Sequence, residues 1–437
     1  MDQTRECIFC FLTDKNQKKL QKQAQLQEEK FEDILKRYKE LFTSNFFNSL
    51  ENPICEKHIK ILNSEQIIEK LKNDRRLVWD LENFFENLVE IYKLWISGEA
   101  HKAISNLTEK LYAYKLLKYN DNKFDIQNRL FFRGRKEGNI IYNKYDMFHI
   151  PYDKRYLVKN QRFSLSGYPL LYLNRSLKGV KAELEIDDNI SEFLFSSFYF
   201  RRGAKIYRMV NPFKEIYDSV EDIGAILNLT INELHKRVLK LVFLNTCLFE
   251  KRLQHIKLEK KGFNVFYEEY VLPQALTQVL KIRKFDGIFY PSTRINEYNE
   301  NYIADEINFN LVLFPKYQEN RHYDNELFEN TEISSPLSYD DLKSHDFPKE
   351  NDYEPLRDIL LNMYFKTDED NENYSITYFF RIFEMLNNHI KLIEKYRLNK
   401  NNENIIKIEN ILRYNFIQKE IIKLDTLERR KNYGKHI

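Results

Sequence analysis

Between residues 14 and 118 apolar residues recur at helical spacing. Lys18–Leu41 is a charged amphipathic run, and Glu65–Leu71 and Leu77–Ile96 continue the pattern. His101–Leu117 completes it, with Leu107, Leu111 and Tyr114 at i, i+4 and i+7. Glycine and proline are nearly absent from this stretch, as long helices require. The texture changes at the polar break Asn120-Asp-Asn-Lys-Phe124. From there to about Pro315 short apolar runs dominate: Leu130–Phe132, Leu170–Leu173, Phe193–Phe200, Ile206–Val210, Gly287–Tyr290 and Ile307–Phe314. Helical stretches near Leu177–Ile186, Ile231–Phe249 and Leu272–Ile282 separate them. Residues 316–350 are polar and proline-punctuated and read as a linker or surface loop. Helical spacing returns over Tyr353–Phe365, Ser375–Leu398 and Glu403–Arg430. The pattern predicts an α+β protein: a helical N-terminal domain (1–120), a mixed-sheet domain (121–316), then a linker and helical C-terminal extension (317–437).

Composition narrows the class. A chain of 437 residues with 43% hydrophobic content can bury more than one core, and 33 Phe and 29 Tyr will dominate them. Lys and Arg total 69 against 66 Asp and Glu, so there is no bulk basic excess to mark a nucleic-acid binder. The start, Met1-Asp-Gln-Thr-Arg-Glu6, lacks the basic and apolar regions of a secretory signal. The most apolar stretch, Val238–Phe249, is too short to span a bilayer, and four cysteines are too few for a disulfide scaffold. A cytoplasmic protein without membrane association is expected.

Three separated segments carry candidate chemistry. If Leu130-Phe-Phe-Arg-Gly-Arg135 is a strand, Arg133 and Arg135 share a face about 7 Å apart, and a guanidinium fork suits a pyrophosphate. In the second segment, Arg162-Phe-Ser-Leu-Ser-Gly leads into a strand through Tyr172, then Ser176 as a helix N-cap. Leu177, Val180 and Leu184 form the buried face of that helix; Glu183 and Glu185 flank it, and periodicity does not choose between them. The third is Phe285-Asp-Gly-Ile-Phe-Tyr-Pro-Ser292, where Pro291 ends the ladder and leaves Ser292 at a strand mouth. Taken singly, each has an ordinary structural explanation: solvated arginines, a helix charge, a turn serine.

Together, and in this order, the segments resemble the RES domain family. Tyr172, Ser176 and Glu183 fit its spacing of a Tyr-Leu strand, a Ser four residues on and a Glu seven beyond, which selects Glu183. Tyr290-Pro-Ser292 and Asn310-Leu-Val-Leu-Phe-Pro315 match its closing strands, so the likeness covers about residues 125–315. This chain is similar to the longer variant carrying Phe148-His-Ile-Pro-Tyr152; its opening strand offers Arg135 as a competitor to Arg133. Tyr145 and Tyr152 compete for the family's active-site tyrosine.

The resemblance implies an ADP-ribosyltransferase-like mixed sheet and consumption of NAD+, by phosphorolysis with inorganic phosphate or by hydrolysis, in a growth-arresting toxin or antiviral effector. It further implies Arg133, Glu183 and Ser292 as catalytic residues, with Arg135, Tyr152, Arg162, Tyr172 and Tyr290 around the dinucleotide. In these roles Glu183 would stabilise a cationic ribose, Arg133 would clamp the pyrophosphate and Tyr152 would stack on nicotinamide. Transfer of ADP-ribose to a protein or nucleic acid uses the same residues. A non-enzymatic zinc-and-helix adaptor with an inactive RES domain is the reading from another class. A toxin also raises the expectation of an antitoxin or regulatory partner, and a homo-oligomer is open. The chain has no Rossmann glycine fingerprint, P-loop or Gly-x-Ser-x-Gly elbow.

A second site is expected near the start. Cys7-Ile-Phe-Cys10 and Cys55-Glu-Lys-His58 have the spacing of two zinc half-sites, which would close a structural tetrahedral shell. Cys247 lies in an apolar helical stretch and reads as core. The helical leader with these cysteines resembles the HEPN-associated region that precedes some RES domains, but it has no Arg-x(4–6)-His nuclease motif.

Overall fold

The computed structural model describes residues 6–25, 30–117, 126–136, 143–186, 192–217, 229–295, 308–338, 353–366 and 404–434, with most of 382–390. Among the described residues six α-helices precede the first strand: α1 (Ile8–Phe11), α2 (Asp14–Ala24), α3 (Phe31–Glu51), α4 (Ser64–Lys72), α5 (Arg75–Ile96) and α6 (Ala100–Ala113). The run Lys18–Leu41 is therefore two helices rather than one, with Gln25 leaving helical geometry at the end of α2. Local chemistry sets several starts. Thr13 caps α2 by accepting from Asn16 N, and Asp74 caps α5 by accepting from Arg76 N. Phe11, Phe42 and Phe46 interlock inside the layer, with Phe42 and Phe46 stacked at 6.0 Å one turn apart on α3.

The middle of the chain forms an open, mixed, eight-stranded sheet. Its strands are β1 (Phe131–Lys136), β2 (Leu171–Asn174), β3 (Phe193–Phe200), β4 (Ile206–Arg208), β5 (Gly287–Pro291), β6 (Phe309–Leu313), β7 (Thr331–Ile333) and β8 (Leu337–Ser338). The order is β4-β5-β6-β2-β1-β3-β7, with β8 also on β3, and among the described residues only the β4–β5 pair is parallel. The mixed α+β class read from the sequence is observed, including the full span of β3. Residues 316–350 depart from the linker expectation: α12 (Asn325–Glu329), β7 and β8 lie within them, and β7 pairs with Phe198–Phe200. These strands are too short to show a period. Their order comes from tertiary partners, chiefly Glu332, which receives Arg201, Lys419 and Lys423.

The strand pleat assigns two faces. Phe131, Leu173, Phe198, Phe289 and Leu311 pack on one, beneath Met147 and Phe148 of the β1–β2 connection. The other face carries helices at both ends. Over β4–β6, Tyr207, Ile288, Tyr290 and Val312 join the same continuous core as the N-terminal helices, α9 (Ile231–Cys247) and α11 (Val271–Ile282). Over β1 and β3, Phe132, Phe195 and Tyr199 pack with α7 (Leu177–Glu183), α13 (Glu354–Lys366) and α14 (Asn404–Gly434). Helices Ile231–Cys247, Val271–Ile282 and Asn404–Gly434 stand where helical segments were predicted, whereas most of Ser375–Leu398 lies outside the described residues. Among the described residues, no helix is long and apolar enough to cross a membrane.

α14 also reaches the element that bears Glu183. Glu409 Oε2 accepts from Leu177 N at 2.7 Å, the start of α7, while Glu409 Oε1 pairs with Arg413 at 2.7 Å. A carboxylate on the first N–H groups of a helix satisfies an orphan donor and favours the helix dipole.

Candidate functional site

The sheet parts at one place. β1 pairs with β3 over six residues, but with β2 only at Phe132↔Asn174. A cleft of about 410 Å³ lies there, lined by Phe132, Arg133 and Gly134 from β1 and by Tyr172, Leu173 and Asn174 from β2. Glu183, Arg162, Tyr270, Tyr290, Arg294 and Asn310 also line it. An adjoining chamber of about 590 Å³ shares Arg162, Lys251, Tyr270, Thr293 and Arg294 with it and adds Lys22, Gln25 and Glu185. Volumes of ~300–1,000 Å³ are typical of small-molecule sites.

Glu183 sits in the last turn of α7, after Ser176 has capped the helix by accepting from Gly179 N at 3.0 Å. Its Oε1 accepts from Ser292 Oγ at 2.6 Å and from Asn310 Nδ2 at 2.7 Å. The chain of polar groups continues: Asn174 Nδ2 donates to Asn310 Oδ1 at 2.7 Å, and Asn174 Oδ1 accepts from Ser176 N at 2.8 Å. Gly179 permits this closeness, since a Cβ there would stand 2.0 Å from Asn174 Oδ1. Strand register fixes the rest, with Asn310 opposite both Asn174 and Tyr290. The other oxygen of Glu183 faces Arg294, whose Nε lies 3.4 Å away and whose Nη1 pairs with Glu185. Both acids therefore meet Arg294, but Glu183 alone is held by Ser292 and Asn310. Backbone geometry separates them too, because Glu185 follows the helix end in the left-handed region at φ 52°.

Arg133 lines the cleft with its Nη1 enclosed and without a hydrogen-bond partner among the described residues. Burial, aggravated by the neighbouring Arg135, pushes its pKa well below the ordinary arginine value. A buried guanidinium beside a like charge is stabilised by any anion that reaches it. Arg135 differs: it donates to Phe148 O at 3.0 Å and is absent from the cleft lining, so the two arginines of β1 are not equivalent. His149 lies near both. Its Nδ1 donates to Ile150 O at 2.7 Å and its Nε2 accepts from Asp324 N at 3.1 Å, so the ring is neutral. Burial, with Arg133 and Arg135 adding to it, lowers the His149 pKa to about 4.

The remaining expected residues divide. Tyr172 and Tyr290 line the cleft; Tyr172 Oη accepts from Phe163 N at 3.3 Å, and Tyr290 packs edge-on against Phe163. Arg162 lines both chambers but is committed to protein partners, donating to Cys247 O and Thr293 Oγ1, each at 3.1 Å, with Tyr270 beneath its guanidinium. Tyr152 stands outside the cleft, contrary to the stacking role expected of it. Its hydroxyl donates to Lys316 O at 2.8 Å and its ring meets Tyr317, because Tyr152 N is tied to His322 O and turns the side chain away. Ile150 of the same loop lines the cleft instead, and Tyr145 is stacked on Phe328. Sequence reading missed Asn174, Tyr270, Arg294 and Asn310. Two of these carried a signal: an asparagine inside the apolar strands Leu-Tyr-Leu-Asn174 and Phe-Asn310-Leu-Val-Leu must find partners when buried.

The cysteine pairs also come together. Cys7, Cys10, Cys55 and His58 place their ligand atoms within 4.8 Å of one another. The Sγ–Sγ separations are 3.7, 3.7 and 3.5 Å, and the distances from Sγ to His58 Nδ1 are 3.5, 3.4 and 3.2 Å. A zinc tetrahedron with Zn–S of ~2.3 Å and Zn–N of ~2.0 Å has edges of ~3.8 and ~3.5 Å. The donor set fits zinc in a closed, structural shell. Phe9 and Tyr217 flank His58, and Tyr217 Oη donates to Phe9 O at 2.7 Å, so the cluster also ties α1 to α8 (Lys214–Tyr217) after β4.

No family model matches the chain, and no solved structure matches it. The chain is similar to a protein described as "Putative toxin YopC" of Bacillus subtilis (strain 168), at 26% identity over 295 residues, an overlap that takes in 64% of this chain and 64% of that protein's length.

Proposed function

We propose that the chain is an NAD+-consuming enzyme that breaks the nicotinamide–ribose bond, and that this activity makes it a growth-arresting toxin. One observation carries the reading: Glu183, fixed by Ser292 and Asn310, lines the same cleft as Arg133, whose enclosed Nη1 has no hydrogen-bond partner among the described residues. Arg133 would take the diphosphate, and Tyr172, Tyr270 and Tyr290 offer aromatic surface for the bases. When the C1′–N bond breaks, nicotinamide leaves neutral with the electron pair and positive charge spreads over the ribose C1′ and ring oxygen. The Glu183 carboxylate stabilises that charge from a fixed position. An oxygen of water or phosphate then bonds to C1′, giving ADP-ribose and a proton, or the ADP-ribose 1-phosphate. The relative described as a putative toxin supports the toxin half of the reading, and with it an inhibitory partner during growth.

The test is incubation of the full-length protein with NAD+, with and without inorganic phosphate, and product identification by mass. Free ADP-ribose selects hydrolysis, its phosphate ester selects phosphorolysis, and label on added protein or nucleic acid selects transfer. Intact NAD+ in every arm overturns the proposal.

A further inference from the structure

The helical layer ahead of the sheet builds part of the cleft. Lys22 and Gln25 of α2 line the outer chamber. One turn earlier Lys18 is nearly buried, and its Nζ donates to Thr293 O at 3.1 Å and Ile295 O at 3.3 Å, with Glu250 Oε1 at 2.8 Å. Two carbonyls accept protons of the ammonium, and the Glu250 carboxylate adds an ion pair. The clamped segment begins one residue after Ser292 and contains Arg294. It lies beyond the end of β5, where the last backbone bond is Ser292 N to Asn308 O at 2.9 Å, and Arg162 holds the Thr293 hydroxyl. Ser292 Oγ donates to Glu183 and accepts from Arg294 N at 3.3 Å. Lys18 therefore acts on the acid cluster through the backbone that presents Ser292 and Arg294.

The other end of α2 is fastened to the cysteine cluster. Cys10 O accepts from Thr13 Oγ1 at 2.8 Å and from Asn16 Nδ2 at 2.6 Å, and Phe11 O accepts from Gln17 Nε2 at 2.7 Å. Gln21 and Gln25 then donate to Asn245 O and Glu250 O. An 11-residue helix is marginal by itself, so its position depends on these contacts together with the burial of Leu20 and Ala24 in the core. Lys18 lies five residues beyond Thr13, about 7.5 Å along the helix axis.

We infer that α2 is a strut between the Cys7–Cys10–Cys55–His58 metal cluster and the Ser292–Arg294 segment. Lys18 is a positioning residue for the cleavage, and loss of the metal loosens the acid cluster. The turnover part rests on the proposed NAD+ reading; the structural part does not.

The experiment is hydrogen exchange on the full-length protein, following peptides over 288–295 before and after metal removal by chelation, alongside steady-state NAD+ cleavage by Lys18→Met and Lys18→Arg. Removal of the metal is expected to speed exchange at 292 and 294 by about tenfold or more. Lys18→Met, with its metal retained, is expected to show the same loosening and to lower kcat by about tenfold with a smaller change in KM, while Lys18→Arg restores most of the rate. Unchanged exchange over 288–295 while residues 6–14 loosen would overturn the strut, as would a folded protein that purifies without metal or a Lys18→Met variant with parental kcat. If Lys18→Met fails to fold, the chelation arm on the parental protein decides. A parental protein that releases no nicotinamide removes the enzymatic reading and leaves the exchange result to judge the strut.

Discussion

The Cys7 cluster and the Glu183 cluster each gather short polar contacts from distant parts of the chain, yet they finish differently. Around Cys7, four donors span the edges of one tetrahedron, and a single ion would satisfy them all. Around Glu183, one carboxylate oxygen is fully engaged by Ser292 and Asn310, while Arg133, which also lines the cleft, keeps an enclosed Nη1 without a hydrogen-bond partner among the described residues. A closed shell holds structure together. An open one, with a cation buried at cost and a cleft before it, is poised for a ligand. The contrast is one of geometry and does not appeal to either cluster's sequence motif.

Breaking the closed cluster should have the largest effect. Cys55→Ser removes one of four ligands, and the N-terminal layer is expected to lose its bound zinc and more than ~3 kcal/mol of stability, read by metal analysis and thermal unfolding. Parental stability without metal would show that the four donors are only neighbours. Opening the other cluster further costs binding rather than folding. Arg133→Met is expected to weaken NAD+ binding about 100-fold by titration while raising or preserving the melting temperature, because a buried unpaired charge is removed. Smaller again is Asn310→Ala. Glu183 keeps Ser292 but loses its second donor, and kcat is expected to fall about tenfold with folding intact.

The effect that vanishes at neutral pH is a pH dependence beside Arg133. His149 is buried and its folded pKa lies at about 4, below the unfolded value near 6.5. Folding therefore favours the neutral ring; this contribution is fully present above pH 6.5 and is lost as pH falls towards 4. The slope is at most about 1.4 kcal/mol per pH unit. His149→Gln should flatten stability across that window in unfolding titrations, and an unchanged slope would assign it to other groups.

The sequence revealed the closed cluster more readily than the open one, for a physical reason. Metal ligands arrive as local pairs, Cys7 with Cys10 and Cys55 with His58, so spacing alone exposes them. The acid cluster is assembled by strand register: Asn310 reaches Glu183 only because β6 lies between β2 and β5. Arg133, Glu183 and Ser292 were legible through their resemblance to a family pattern. Asn174 and Asn310 showed only that they interrupt apolar strands, and Arg294 and Tyr270 were not legible, since nothing local marks a residue whose role depends on a neighbour more than one hundred positions away. Tyr152 failed for the same reason in reverse, because its loop is fastened by His322 and Lys316, which sequence proximity does not suggest. The helices and most strands were legible because burial imposes their period. The short strands after Pro315 were not, being held by Glu332 and its three cations.

Glu183→Gln keeps the size and the hydrogen-bonding oxygen of the side chain and removes only its charge. Nicotinamide release and NAD+ binding measured on one sample of this variant bear most directly on the claim that the carboxylate stabilises a cationic ribose. Release is expected to fall at least ~1,000-fold while the NAD+ dissociation constant stays within about tenfold of the parental value. Release at the parental rate from a folded, NAD+-binding Glu183→Gln protein would contradict it.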